Sequence, residues 1–259
     1  MIERAIAGIA VAGVVARAAE RARALSRSGA IAAAAVGAVA IAAAWEWGAL
    51  LLVFFASSSL LSRWAASSKA DRTGAIVAKS GPRDAWQVVA NGGVVGLAAL
   101  GTLAWSDARW GVAAAGALAA ATADTWSTEL GTGLGGDPRS ILSFATVPAG
   151  TSGGVSLWGG AGAVAGGLLI AMAAVSLGWP AARFAAIATA GVAGSLVDSL
   201  LGAAVQARRR CPRCGTLTER ALHDCGTSTV HAGGLAWMTN DTVNLVATLA
   251  GAAIAVILS

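Results

Sequence analysis

Long apolar stretches alternate with short polar ones along almost the whole chain. Charge-free runs cover Ser28–Trp45, Trp47–Ser62, Ala85–Ser106, Trp110–Ala123, Ser140–Ala182 and Thr242–Ser259, and Phe184–Ala207 is apolar apart from Asp198 and a few polar groups. A bilayer core needs about 20 apolar residues per helix, and tilt or local thinning tolerates fewer. The pattern predicts an all-α, polytopic membrane bundle of about seven or eight transmembrane helices, a single domain over residues 1–259. Ser140–Ala182 is long enough for a loop plus a span. Trp110–Ala123 is short for a full crossing and is expected to enter partway or to pack inside the bundle. Ala5–Ala16, with Arg4 and Arg17 at its ends, reads as a first span or an interfacial helix. A cleaved signal peptide fits less well, because further spans follow.

Composition agrees with the pattern. Hydrophobic residues make up 56% of the 259 and charged residues 12%, and mean hydropathy is +0.70; a soluble domain carries roughly 25% charged residues. A net charge of +5 and a pI near 10.1 would otherwise point to nucleic acid, but position argues against that partner. With eight spans, all of the 18 Lys and Arg except Arg4, Arg109 and Arg183 fall in the first, third, fifth and seventh loops. Positive charge collects on the cytoplasmic side, so these loops are expected in the cytoplasm. The opposite links are minimal turns around Glu46, Asp107 and Pro180, each with tryptophan at interface depth. Gly/Ala pairs such as Gly92 and Gly96 are read as packing spacings.

Polar stripes then interrupt the apolar runs. Ser195, Asp198, Ser199, Gly202 and Gln206 fall on one helical face. An ionised Asp in a bilayer costs roughly 2.5–3.5 kcal/mol, so Asp198 should face a partner, an ion or water. Asp84, Gln87 and Asn91 share another face, with Arg83 and Gln87 on an adjacent row. "NDTVN" puts Asn240, Asp241 and Asn244 at the start of the last helix, where the plainer reading of the first two is an N-cap. "TADTWSTELG" ends another apolar run with Asp124, Thr125, Ser127 and Glu129. Asp124, Glu129, Asp198 and Asp241 are therefore expected to converge at one depth, where clustered carboxylates require a cation. Carboxylate and amide oxygens suit Mg²⁺, which commonly shares its coordination with phosphates. Lys69, Arg72, Lys79 and Arg83 lie in one loop, placed to neutralise such phosphates. "TVPAGTSGG", with Thr151, Ser152 and Gly153, reads as either an anion nest or a flexible link.

Other matches fail or stay minor. Gly131, Gly133 and Gly136 fit a dinucleotide fingerprint, but no strand precedes them and Pro138 follows. Gly150–Gly153 resembles the serine motif of intramembrane proteases, a chemistry that needs a histidine in reach. Both histidines lie instead with the cysteines, in an expected cytoplasmic Cys/His loop over residues 207–236. There Cys211 and Cys214 form a C-x-x-C knuckle, and His223 and Cys225 complete a four-ligand set suited to structural Zn²⁺, with His231 as an alternative to His223.

Taken together, "ALSRSGA", "FFASSSLL", "RDAWQVVANGG", "ATADTWSTELG", "TVPAGTSGGVS", "GSLVDSLLGA", "CPRCG…HDCG" and "NDTVNL" resemble the phytyl-phosphate kinase family, which includes transmembrane protein 19. The resemblance spans Ala24 to Leu245. It implies Mg²⁺-dependent phosphoryl transfer from a nucleoside triphosphate, CTP among the candidates, to an isoprenoid monophosphate such as phytyl phosphate. The expected partners are the membrane, that lipid and the nucleotide, with homo-oligomerisation left open. Asp124, Glu129, Asp198 and Asp241 are the expected catalytic and Mg²⁺-binding residues. Lys69, Lys79, Arg83, Asp84, Gln87, Asn91, Thr125, Ser127, Thr151, Ser152, Gly153, Ser199, Asn240 and Asn244 are the expected substrate contacts. The alternative is a transporter or lipid flippase using the intramembrane Asp, Asn and Gln residues.

Overall fold

The computed structural model describes residues 2–73, 76 and 81–259. Among these residues the chain forms eight α-helices: α1 (Ile2–Arg21), α2 (Arg27–Ala43), α3 (Trp45–Thr73), α4 (Ala85–Ala104), α5 (Arg109–Gly133), α6 (Leu157–Ser176), α7 (Phe184–Ala204) and α8 (Asn240–Leu258). Five spans are long and apolar enough to cross a membrane: Trp45–Ser68, Ala85–Ala104, Leu157–Ser176, Ala181–Ala204 and Asn240–Leu258. The all-α membrane architecture expected from the apolar runs is the one observed.

Helix α5 is the axis of the bundle. At 1.5 Å per residue its 25 residues reach about 37 Å, and α3, α4, α6, α7 and α8 all pack on it. Val112 and Ala114–Ala123 are buried, so the segment too short to count as a span sits inside the bundle. Its small side chains let neighbours approach closely: Ala119 and Ala120 meet Gly191 and Gly194 of α7, and Gly116 meets Gly251 of α8. Helix α1 lies antiparallel along α2, with Gly8 against Ala38 and Ile41, and Ala12 against Gly37. It therefore shares the depth of α2.

The two ends of the bundle differ in construction. At one end the connections are short: Ala44 alone, residues 105–108, and 177–183. Trp105 and Trp110 stack there at 6.3 Å between ring centroids. At the other end are the connections 22–26, 74–84, 134–156 and 205–239, which touch one another. Arg83 N–H donates to Ala24 O and Ser26 N–H to Arg83 O, both at 3.0 Å, while Glu219 N–H donates to Ile76 O at 2.9 Å. Arg72 Nη2 reaches Gly136 O at 2.9 Å.

Capping follows the same division. Helices α2, α4, α6 and α8 start at the loop end, and each has a polar side chain as its N-cap: Ser26, Asp84, Ser156 and Thr239. Helices α5 and α7 start at the short-turn end without a side-chain cap. The loop end carries short strands as well: β1 (Arg139–Ser140) pairs with β2 (Gly154–Val155), while β3 (Arg208–Arg210) lies between β4 (Leu217–Thr218) and β5 (Val230–Gly233).

Candidate functional site

The loop end holds the polar stripes. On α7, Ser195 and Gly202 are buried, so the stripe predicted from spacing faces inward; Gln206, predicted on the same helical face, is buried in the turn just after the helix ends at Ala204. Asp198 stands midway along it. Its Oδ2 is buried without a hydrogen-bond partner among the described residues, and it lies within electrostatic reach of Asp124 on α5 and Glu219. Buried oxygens of native proteins are nearly always satisfied, so an orphan opposite a second acid marks a place for a cation or a ligand.

The Gly-rich loop closes over the same helix. Gly153 has φ +76°, and a Cβ there would come within 2.4–2.7 Å of Ala203. Only glycine tolerates both that conformation and that approach. Gly202, four residues beyond Asp198 and on its face, touches Ser152 and the Gly153 N–H group. The Ser152 hydroxyl donates to Glu219, and Gln206 Nε2 donates to the same carboxylate at 2.8 Å. Thr151 gives its backbone N–H to Pro148 O at 3.1 Å.

Glu129 belongs to different surroundings. It is 6% exposed and accepts a hydrogen bond from Ser62 at 2.9 Å. Arg83, half-buried, donates to Ser59 at 3.3 Å and lies 6.0 Å over the Phe55 ring. Burial lowers the pKa of the Arg83 guanidinium from its ordinary value, and the nearby Glu129 charge opposes that shift. Ser59, Ser62 and Glu219 were not predicted as site residues. The serines at positions 59 and 62 share a helical face and could have been found by the spacing used for α7; Glu219 left no such signal.

Several other predicted residues serve the local fold. Asp84 and Gln87 form a capping box at the start of α4, each accepting from the other's backbone N–H at 3.0 Å. Asn91 donates to Gln87 O at 2.9 Å, and Thr125 donates to Ala121 O at 2.8 Å. The Ser127 hydroxyl lies against Gly159 of α6. At α8 the cap is Thr239, which leaves Asn240 exposed and Asp241 and Asn244 half-buried beyond it. Ser199 is half-buried beside Asp198. Lys79, and the side chain of Lys69, lie outside the described residues.

The third feature is the Cys/His cluster. The ligand atoms of Cys211, Cys214, His223 and Cys225 all lie within 4.8 Å of one another, and they are the one such group of three or more metal-ligating side chains found among the described residues. The cysteines are free thiols, with Sγ of Cys211 and Cys225 3.6 Å apart and His223 Nδ1 3.1 Å from Cys225 Sγ. Hydrogen bonds with Thr227 and His223 lower the Cys225 thiol pKa to about 5, which supplies the thiolate that metal binding requires. Cys214 is pushed up to about 11, chiefly by its hydrogen bond with Cys225. His231 is exposed on β5 and does not join the group. A groove of about 560 Å³ between α1 and α2, lined by Ala16, Arg17, Glu20, Arg27 and Ala30 among others, includes none of Asp124, Glu129, Asp198 and Asp241.

Residues 10–252 match the family described as integral membrane protein DUF92. The chain belongs to that family. It is 29% identical to Protein PGR of Arabidopsis thaliana, over 95% of this chain and 93% of that protein. It is also 33% identical to an uncharacterized membrane protein of Methanocaldococcus jannaschii, over 54% of this chain and 48% of that one. No solved structure matches. The family resemblance read from the motifs is thus borne out, and the chain is a multi-pass integral membrane protein.

Proposed function

We propose that this protein is a membrane-embedded phosphotransferase that moves the γ-phosphoryl group of a nucleoside triphosphate onto an isoprenoid monophosphate. The observation that carries this reading is the unpartnered Asp198 oxygen within reach of Asp124, beside a Gly-rich loop and at the basic end of the bundle. A monophosphate with a second pKa of about 6 is already an anionic nucleophile at neutral pH, so no strong base is required. One of its oxygens attacks the γ-phosphorus, the bond to the bridging oxygen breaks, and the nucleoside diphosphate leaves. The protein contributes positioning and charge neutralisation.

Asp124 and Asp198 form the centre of the proposed Mg²⁺ site, Asp241 is assigned to it from the first turn of α8, and Glu129 is assigned a supporting role from the other face of α5. Mg²⁺ held there would neutralise the triphosphate. Arg83, with Lys79 of the same connection and Lys69 of the last turns of α3, is assigned to the phosphates, and the N–H groups of Ser152 and Gly153 to an anion nest. The prenyl tail lies between helices. The Cys/His cluster is assigned a structural Zn²⁺ ion, and the loop end is assigned to the cytoplasm because it carries the basic residues.

Purified protein is to be incubated with Mg²⁺, γ-labelled nucleotides and a panel of prenyl monophosphates. Label is expected in a prenyl diphosphate. A folded preparation that labels no lipid, but moves prenyl phosphate across vesicles, would return the flippase reading. In intact cells, Arg139→Cys and Arg213→Cys should resist impermeant thiol reagents; ready labelling would invert the orientation.

A further inference from the structure

Glu219 has no place in the reaction above, yet it joins three connections of the loop end. Its carboxylate accepts from Ser152, in the connection between α5 and α6, and from Gln206, where α7 ends. Its backbone N–H donates to Ile76 O, in the connection between α3 and α4, at 2.9 Å. Gln206 is 2% exposed, so its amide needs that acceptor. Ser152 in turn precedes Gly153, the residue wedged on Ala203. The position of Glu219 therefore governs how the Gly-rich loop sits one turn beyond Asp198.

The Cys/His cluster fixes that position from both sides. Glu219 follows β4 and lies between the first ligand pair, Cys211 and Cys214, and the second, His223 and Cys225. Upstream, the knuckle is a tight turn in which Cys211 N–H donates to Thr216 O and Gly215 N–H to Cys211 O. That turn sets the register of β4 on β3, with Arg209 opposite Thr218. Downstream, Thr229 donates to Arg220 O through its hydroxyl and to Ala221 O through its backbone N–H at 2.9 Å. Arg209 grips Thr229 at 2.7 Å. The segment carrying Glu219 contains few apolar residues to hold it, so an ion bound at the centre would tie the two flanks together beyond these hydrogen bonds. Three sulfurs and one imidazole within 4.8 Å suit Zn²⁺.

We infer that Zn²⁺ on Cys211, Cys214, His223 and Cys225 acts on the acid site by holding Glu219 between Ser152 and Gln206, so that metal occupancy orders the 148–154 loop. Glu219 is a positioning residue: it works through Ser152. The inference rests on the zinc assignment made above, but not on which reaction the site performs.

The test is hydrogen exchange on the full-length protein in nanodiscs, read together with its zinc content. Wild type is expected to hold about one Zn²⁺ per chain. Removing it with a soft-donor chelator should speed exchange at residues 148–154 by about tenfold or more while α5 stays protected, and added Zn²⁺ should reverse the change. Glu219→Ala should show the same faster exchange with zinc still bound. Glu219→Gln retains an oxygen that accepts from both Ser152 and Gln206, and should restore protection. Absence of zinc from reduced, chelator-free protein would remove the metal assignment. A zinc-loaded Glu219→Ala protein whose 148–154 loop stays protected would overturn the positioning role alone.

Discussion

Asp124 and Glu129 are five residues apart on α5, and about 140° apart around it at 100° per residue. Their surroundings are opposite in kind. Glu129 faces α3, where Ser62 donates to it and Arg83 brings a positive charge near. Asp124 faces α7 and meets another acid, Asp198, which has an oxygen that no described group answers. One face of the helix has its charge matched by the protein, and the other leaves charge to be matched by something bound. The difference teaches that an acid in a membrane bundle acquires its meaning from the helix it faces.

The largest effect should come from the unmatched face. Asp198→Asn keeps the shape and removes the charge, and is expected to reduce phosphoryl transfer by about 100- to 1,000-fold. Its melting temperature should stay level or rise, because neutralising a buried, unpaired carboxylate relieves its desolvation. Glu129→Gln retains an acceptor for Ser62 and should lose less activity than Asp198→Asn. Equal losses in the two variants would erase the contrast between the faces.

The matched face should show itself in stability. Glu129→Ala strands the Ser62 hydroxyl and leaves Arg83 without its nearby charge, a cost of about 1–3 kcal/mol that thermal unfolding in detergent would register. Gly153→Ala should cost a comparable or smaller amount, about 1–3 kcal/mol, from its positive φ and the contact with Ala203. An undiminished melting temperature for either variant would mean that the corresponding contact carries no weight.

The division between faces was only half legible in the sequence. The inward stripe of α7 was readable because Ser195, Asp198 and Gly202 repeat at helical spacing, although the helix stops at Ala204, before Gln206, and the apolar runs predicted the bundle. The partners of the acids were not readable. Ser62 and Glu129 are 67 positions apart, as are Ser152 and Glu219, and no local period reaches that far. Asp84 and Gln87 show the reverse problem. Their spacing is that of a capping box, and the cap uses the hydrogen bonds that a ligand-facing stripe would offer. Trp110–Ala123 is short as a span because the apolar run stops at Asp124, whereas the helix continues to Gly133, and it is the apolar half that is buried among its neighbours.

The central claim is that Asp124 and Asp198 together form a metal–triphosphate centre. Equilibrium binding of labelled nucleotide to purified wild-type and Asp198→Asn protein, titrated with Mg²⁺, tests it most directly. Wild type should bind nucleotide only as Mg²⁺ is added, and the folded Asp198→Asn protein should lose that Mg²⁺-dependent binding. An Asp198→Asn protein that binds Mg²⁺–nucleotide as tightly as wild type would contradict the account.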